Sequence, residues 1–120
     1  MRSLLLLLIV LLGCSGAPRP HTESRIAHNT LTATQLAATG APTLFEAIQR
    51  TKSLWVFGSR RVISVFLDDQ YFGALLDLRY ISTNSVSAVR YLRADETTGF
   101  YGIRYPGPAL QVMTHNGRIR

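Results

Sequence analysis

An α+β fold is predicted for this chain, in the form of one small domain of short mixed strands and short helices. Short segments rich in β-branched and aromatic residues alternate with segments that open on Thr-x-x-Gln or Thr-x-x-Glu, the capping-box pattern of a helix start. The chain has 120 residues, with no internal repeat and no low-complexity tract. This combination is typical of a single compact domain rather than a repeat or fibrous protein.

The first 13 residues have the form of an export signal. Arg2 precedes an apolar run from Leu4 to Leu12, which fits the signal-peptide length of about 7–15 residues and falls short of the roughly 20 that a membrane span requires. The only cysteine, Cys14, follows Gly13. This junction resembles the lipobox of bacterial lipoproteins, in which cleavage precedes the cysteine and the thiol carries diacylglycerol. We therefore expect residues 1–13 to be a lipoprotein signal peptide and Cys14 to be the lipid-attachment residue.

Two alternatives to lipidation stay open, an ordinary signal peptide with an incidental cysteine and an uncleaved N-terminal anchor. A multiply acylated cysteine would hold the protein on its membrane. Serine, not aspartate, follows Cys14, and by the sorting rule of Gram-negative lipoproteins this implies the periplasmic face of the outer membrane. A single cysteine also excludes intramolecular disulfides and cysteine-rich zinc sites.

Residues 14–29 are rich in Pro, Ser, Thr, Arg and His, a composition typical of a flexible tether. The folded domain is therefore expected at residues 30–120.

Two capping boxes predict the first helices of this domain. Thr32 with Gln35 opens a short helix, and Thr43 with Glu46 opens a second helix at about residues 44–52.

A strand and a hairpin turn are predicted next. Residues 61–67 are dense in β-branched and aromatic side chains, and a second such segment begins at residue 70. Asp68 and Asp69 lie between them and are interpreted as a tight turn, since aspartate tolerates positive φ better than most residues. Paired carboxylates for acid–base chemistry are the alternative, with no histidine or third carboxylate close in sequence.

The second half of the domain is predicted to continue with a short helical turn at residues 75–80 and an extended segment at 86–93. Asp95 is then predicted to cap a further turn. A final strand is expected at residues 109–114.

Six pieces of the sequence, taken in order, form a longer pattern. They are residues 43–46, 65–69, 75–82, 86–94, 101–102 and 107–114. This order resembles the plug domain of TonB-dependent outer-membrane receptors, in which a Thr-x-x-acid helix start, a Val-x-x-Asp-Gly hairpin, an Ile-Pro corner, a strand, a Tyr-Gly turn and a Gly-Gly strand follow one another. The resemblance spans about residues 31–114 and implies a plug-like fold in the cell envelope.

Several positions depart from the plug pattern. Asp69, Ser82, Ala94 and Pro108 stand where that family has Gly, Pro, Gly and Gly respectively. The 107 residues that follow Gly13 also cannot supply a barrel of about 22 strands of about 9–11 residues each. The resemblance therefore implies fold and compartment, and does not favour transport by this chain alone.

No motif for catalysis or cofactor binding occurs in the sequence. It contains no Gly-x-Ser-x-Gly elbow, phosphate loop or dinucleotide fingerprint. His21, His28 and His115 lie in the tether and the tail, where solvated side chains are favoured over a loose metal pair of His21 and His28. We expect no enzymatic activity, no cofactor and no metal.

The net charge of +6 comes mainly from scattered arginines, which favours a solvated basic surface over a dedicated site for anionic lipid or nucleic acid. Four residues nevertheless form a candidate interaction loop for a flat or sugar-like ligand. They are Phe100, Tyr101, Arg104 and Tyr105. The alternative is that these aromatic rings cover the edge of a small core.

The expected function is that of a lipid-anchored, non-enzymatic protein that binds a partner or ligand at the outer membrane, through loops or an exposed sheet edge. Its expected partners are the membrane, through acylated Cys14, and an envelope protein, with no nucleic acid. A structural or vestigial surface lipoprotein with no specific ligand is the alternative.

Overall fold

The computed structural model describes residues 28–117 together with Gly13 and Gly16, and Cys14 and His21 lie outside this part of the chain. The described residues form a small α+β domain, as predicted. Its strands are β1 (Thr30–Thr32), β2 (Ser64–Leu67), β3 (Gln70–Ala74), β4 (Val86–Leu92) and β5 (Ala109–Thr114). Its helices are α1 (Ala33–Ala38), α2 (Leu44–Thr51), α3 (Ser53–Phe57) and α4 (Ala94–Tyr101), with two 3-10 turns, Leu75–Tyr80 and Thr83–Ser85.

The five strands form one mixed sheet in the order β1-β4-β5-β2-β3. Neighbouring strands are antiparallel except β2 and β5, which run parallel. Val112 of β5 pairs with Val89 of β4 and, in the parallel register, Leu67 of β2. Each of the three central strands carries a fully buried valine, Val89 in β4, Val112 in β5 and Val65 in β2.

One face of the sheet carries the main core, against which α1, α2, α3 and the first 3-10 turn pack. The Thr32 and Thr43 hydroxyls accept hydrogen bonds from the backbone N–H groups of Gln35 and Glu46, so both predicted helix starts are confirmed. In α2, apolar residues at helical spacing point into this core. They are Leu44, Phe45, Ala47 and Ile48.

The opposite face holds a second, smaller cluster built around Phe66, with Leu92 and Ala109. A bulge in the β2–β3 hairpin shifts the register between Val65 and Phe66, so that Phe66 lies opposite Tyr71. Alternating residues of a strand point to opposite faces. Val65 consequently enters the main core, while Phe66 becomes the centre of the smaller cluster.

Several boundaries differ from the predictions. Strand β5 spans the predicted residues. Strand β2 begins only at Ser64, later than predicted. Ser59 turns the chain before it, because the Ser59 hydroxyl donates to the Arg61 carbonyl and accepts from the Arg61 N–H. The predicted cap at Asp95 is wrong. Helix α4 starts after Arg93, whose N–H donates to the Glu96 carboxylate at 3.1 Å.

Candidate functional site

Tyr101 and Tyr105 both pack against a buried ring, that of Phe66. The Tyr101 ring stacks on Phe66 with centroids 3.6 Å apart and planes 4° from parallel, while Tyr105 meets the same ring edge-on at 4.9 Å. Tyr101 is the last residue of α4. The prediction of one loop holding Phe100 to Tyr105 is therefore corrected, since its first two residues are helical and only Arg104 and Tyr105 lie beyond α4.

A hydrogen-bonded cluster ties the end of α4 to the hairpin turn. The Tyr101 hydroxyl donates to the Asp69 carboxylate at 2.9 Å, and the Gln111 side-chain amide donates to the Tyr101 oxygen at 2.8 Å and to Asp69 at 3.3 Å. Burial, and then the hydrogen bond to Asp69, raise the pKa of Tyr101 to about 12. Tyr101 therefore stays protonated and keeps donating to Asp69 throughout the neutral range.

The aspartate pair forms the predicted turn, with positive φ at both residues, 47° at Asp68 and 68° at Asp69. The Asp68 carboxylate accepts from the Thr114 N–H at 2.9 Å and from its hydroxyl at 2.6 Å. Asp69 is held by Tyr101 and Gln111. Both carboxylates thus fasten the hairpin to β5 and α4, and this arrangement gives no support to the acid–base alternative.

Beside this cluster lies a groove of about 800 Å³, formed where residues 60–64 face residues 104–107. Tyr71 and Tyr105 form one wall, with ring centroids 5.5 Å apart and planes 24° from parallel. Gly107 allows the two segments to approach closely, because a Cβ there would lie 2.8 Å from the Val62 carbonyl oxygen. The groove is therefore built from both segments at once and depends on their contact.

Three arginines, Arg60, Arg61 and Arg104, line this groove and are exposed. Within residues 28–117, none of them forms an ion pair with a carboxylate. The carboxylates in this part of the chain have other partners. Some pair with Arg50 or Arg93, and Asp68 and Asp69 make the hydrogen bonds described above. Asp77 accepts a hydrogen bond from the Ala74 N–H. The groove consequently concentrates positive charge that the described part of the domain does not neutralise.

The predicted interaction residues are only partly brought together. Arg104 and Tyr105 line the groove, Tyr101 serves packing and hydrogen bonding, and Phe100 lies under the Arg90 guanidinium at 5.7 Å. Sequence reasoning missed Arg60 and Arg61, although they form the only pair of adjacent basic residues in the chain.

Among the described residues, no group of three or more His, Cys, Asp or Glu side chains could hold a metal ion. None of the helices in this same part of the chain has the length and apolar character needed to cross a membrane. His28 and His115 are exposed.

Comparisons with protein-family models, with curated proteins and with solved structures found no match to this chain. Fold and site together define a small α+β domain with a basic, tyrosine-walled groove.

Proposed function

We propose that this chain is a lipid-anchored, non-enzymatic cell-envelope protein whose domain binds an anionic ligand or partner in the groove. One observation carries the binding function. Three arginines without a carboxylate partner in residues 28–117 surround a groove walled by two stacked tyrosines.

The chemistry of these side chains supports an anionic occupant. An arginine guanidinium presents a planar fork of N–H donors that matches carboxylate and phosphate oxygens in pairs. Tyrosine faces pack against flat rings and sugars. The groove volume of about 800 Å³ lies within the range of about 300–1,000 Å³ that small-molecule sites occupy.

The sequence supports the anchor and the compartment. Lipidation of Cys14 would hold the domain at a membrane, and the serine that follows favours the periplasmic face of the outer membrane. The plug-like order of elements supports the same location, with an envelope protein as a further partner and no role for nucleic acid.

The alternative of a vestigial plug rests mainly on the turn residues that differ from the plug pattern, Asp69 among them. Asp69 accepts hydrogen bonds from Tyr101 and Gln111, so an aspartate at this turn position has a structural role that glycine could not fill. This position therefore does not indicate decay of the fold.

Binding is tested with phenyl phosphate, which joins a flat ring to a phosphate, and with benzyl alcohol as its uncharged counterpart. The native protein is titrated with each, and binding is followed by NMR at the arginine side chains. We expect phenyl phosphate to bind and benzyl alcohol to bind far more weakly. The double substitution Arg61→Gln and Arg104→Gln is expected to weaken phenyl phosphate binding by tenfold or more, about the worth of one lost charged hydrogen bond.

The matched control is Arg50→Gln with Arg79→Gln, which removes the same charge from exposed positions outside the groove. It is expected to leave binding nearly unchanged. Phenyl phosphate that binds no better than benzyl alcohol, or a control pair that weakens binding equally, would contradict the proposed function.

A further inference from the structure

Large apolar side chains are exposed next to the arginines of the groove. Val62, which follows Arg61, is 77% exposed, and Ile103, which precedes Arg104, is 89% exposed. Each groove segment therefore has an exposed apolar residue directly next to one of its arginines, Val62 within the first segment and Ile103 just before the second.

Helix α3 leads into the first of these segments and extends the pattern. Trp55 and Val56 are buried in the main core, whereas Leu54 is 78% exposed and Phe57 is 66% exposed. With Val62, three large apolar residues are thus exposed within nine positions that also contain Arg60 and Arg61. Single exposed apolar residues are ordinary on protein surfaces, but several that are grouped with cations indicate an interaction surface.

The combination of cations and exposed apolar side chains fits an anionic bilayer. Surfaces that bind membranes place apolar side chains at the boundary between headgroups and acyl chains, and place Lys or Arg against the negative headgroups. Arginines supply the charge here, and their guanidinium groups pair well with phosphate. An acidic protein surface would meet the arginines but would not require the apolar neighbours.

We propose that this domain docks on an anionic bilayer, with a lipid phosphate in the groove between Arg61 and Arg104 and with Val62 and Ile103 at the acyl-chain boundary. The inference rests on the proposed function, since it names the bilayer as the source of the anionic ligand. The tether that the composition predicts at residues 14–29 would, as a flexible chain, have a root-mean-square span of about 20 Å. An anchor at Cys14 would therefore keep the groove within reach of the headgroups at high effective concentration.

Hydrogen–deuterium exchange tests the docking on the native lipidated protein. The protein is reconstituted in vesicles of phosphatidylcholine alone and in vesicles that also contain phosphatidylglycerol. Each arginine near an anionic surface favours binding by about fivefold. Amides of residues 58–63 and 102–107 are therefore expected to exchange more slowly on the anionic vesicles than on phosphatidylcholine alone, by about fivefold or more.

Two sets of variants separate the causes of any protection. Replacing Arg60, Arg61 and Arg104 together by Gln is expected to abolish it, whereas the equal charge change of Arg50→Gln, Lys52→Gln and Arg79→Gln is expected to preserve it. The substitution Ile103→Ser, at an exposed position that does not line the groove, is expected to reduce protection on vesicles while phenyl phosphate still binds.

Three results would overturn docking on the bilayer. The first is equal exchange on both kinds of vesicle, and the second is an equal loss of protection in the control triple variant. The third is full protection of the same amides on phosphatidylcholine vesicles after soluble glycerol phosphate or an acidic envelope protein is added. If phenyl phosphate binds but the loops remain unprotected, the anion site stands and docking fails. If phenyl phosphate does not bind, the proposed function itself fails.

Discussion

Removal of one hydroxyl group, by Tyr101→Phe, tests how the smaller cluster is held together. The variant retains the aromatic ring, so the stack on Phe66 at 3.6 Å is kept. It loses the hydrogen bond to the Asp69 carboxylate at 2.9 Å and the one accepted from Gln111 at 2.8 Å. Any change in the free energy of unfolding therefore reports on the hydroxyl and not on the ring.

The expected loss follows from the type of bond removed. A hydrogen bond to a charged group is worth about 1.5–3 kcal/mol, and partial exposure of this cluster places the loss near the lower end, at about 1.5 kcal/mol. For a domain of this size, that loss lowers Tm by roughly 6–12 °C. Tyr105→Phe is the matched control because, among the described residues, the Tyr105 hydroxyl makes no side-chain hydrogen bond; its expected change is within about 0.5 kcal/mol.

The pH dependence gives the same prediction a second readout. The folded-state pKa of Tyr101, about 12, lies above the ordinary value of 10.0. A group whose pKa is raised on folding stabilises the fold fully below its unfolded pKa and loses that contribution as pH rises through its folded pKa. The stability difference between the wild type and Tyr101→Phe should therefore be full at about pH 8 and shrink as pH rises from about 10 towards 12.

The assay is urea unfolding of the wild type and both variants at several pH values, together with the absorbance titration of tyrosinate. A Tyr101→Phe variant as stable as Tyr105→Phe would refute the role of the hydroxyl. So would a titration in which Tyr101→Phe removes no component with a raised pKa.

Three further substitutions test other parts of the fold by the same unfolding measurement. Asp68→Asn, which still tolerates positive φ, should cost about 1 kcal/mol because it weakens the bonds to Thr114; an unchanged stability would contradict this. Gly73→Ala should cost about 1–3 kcal/mol, because the new Cβ would collide with the Asp77 carboxylate, and a neutral result would show that Asp77 moves aside freely. Leu110→Ala in the fully buried centre of the sheet should cost about 2–5 kcal/mol, and a loss below this range would contradict its place in the core.

Gly99→Ala is the control for the glycine substitution. A Cβ at Gly99 would meet nothing within 4 Å, and alanine is favoured over glycine inside a helix by about 1 kcal/mol. This variant should therefore be neutral or slightly stabilised.

Much of the fold could be predicted because its signals are local. The threonine caps at Thr32 and Thr43 act within three residues of the helix start, and the Asp68–Asp69 turn lies between two β-rich segments. The final strand was predicted with the bounds that it has in the structure, Ala109–Thr114. Local rules of capping and turn chemistry suffice for such elements.

The elements that were missed depend on distant partners. Strand β1 has only three residues, and it is a strand because Thr30–Thr32 pairs with Ala88–Arg90 of β4, far along the chain. Helix α3 has no capping side chain. Its Trp55 is fixed by burial and by stacking on Tyr91 at 5.7 Å, a contact that has no local signal.

The site shows the same limit. Tyr105 and Arg104 were predicted as interaction residues from their local composition, but the groove also requires Arg60, Arg61 and Tyr71, which only the folded sheet brings near them. Scattered arginines favoured a generic solvated surface in the sequence. The structure gathers three of them around one groove, because β2 and β5 run parallel and place the segments that precede them side by side.

Anchoring of this protein at a membrane is tested by its intact mass after purification from native membranes, with Cys14→Ser as the control variant. The inner and outer membranes are separated in the same experiment. We expect a mature chain that starts at Cys14, carries added acyl mass and occurs in the outer-membrane fraction, and we expect Cys14→Ser to lose all three properties. An unmodified chain, or one cleaved elsewhere and released from the membrane, would contradict this expectation.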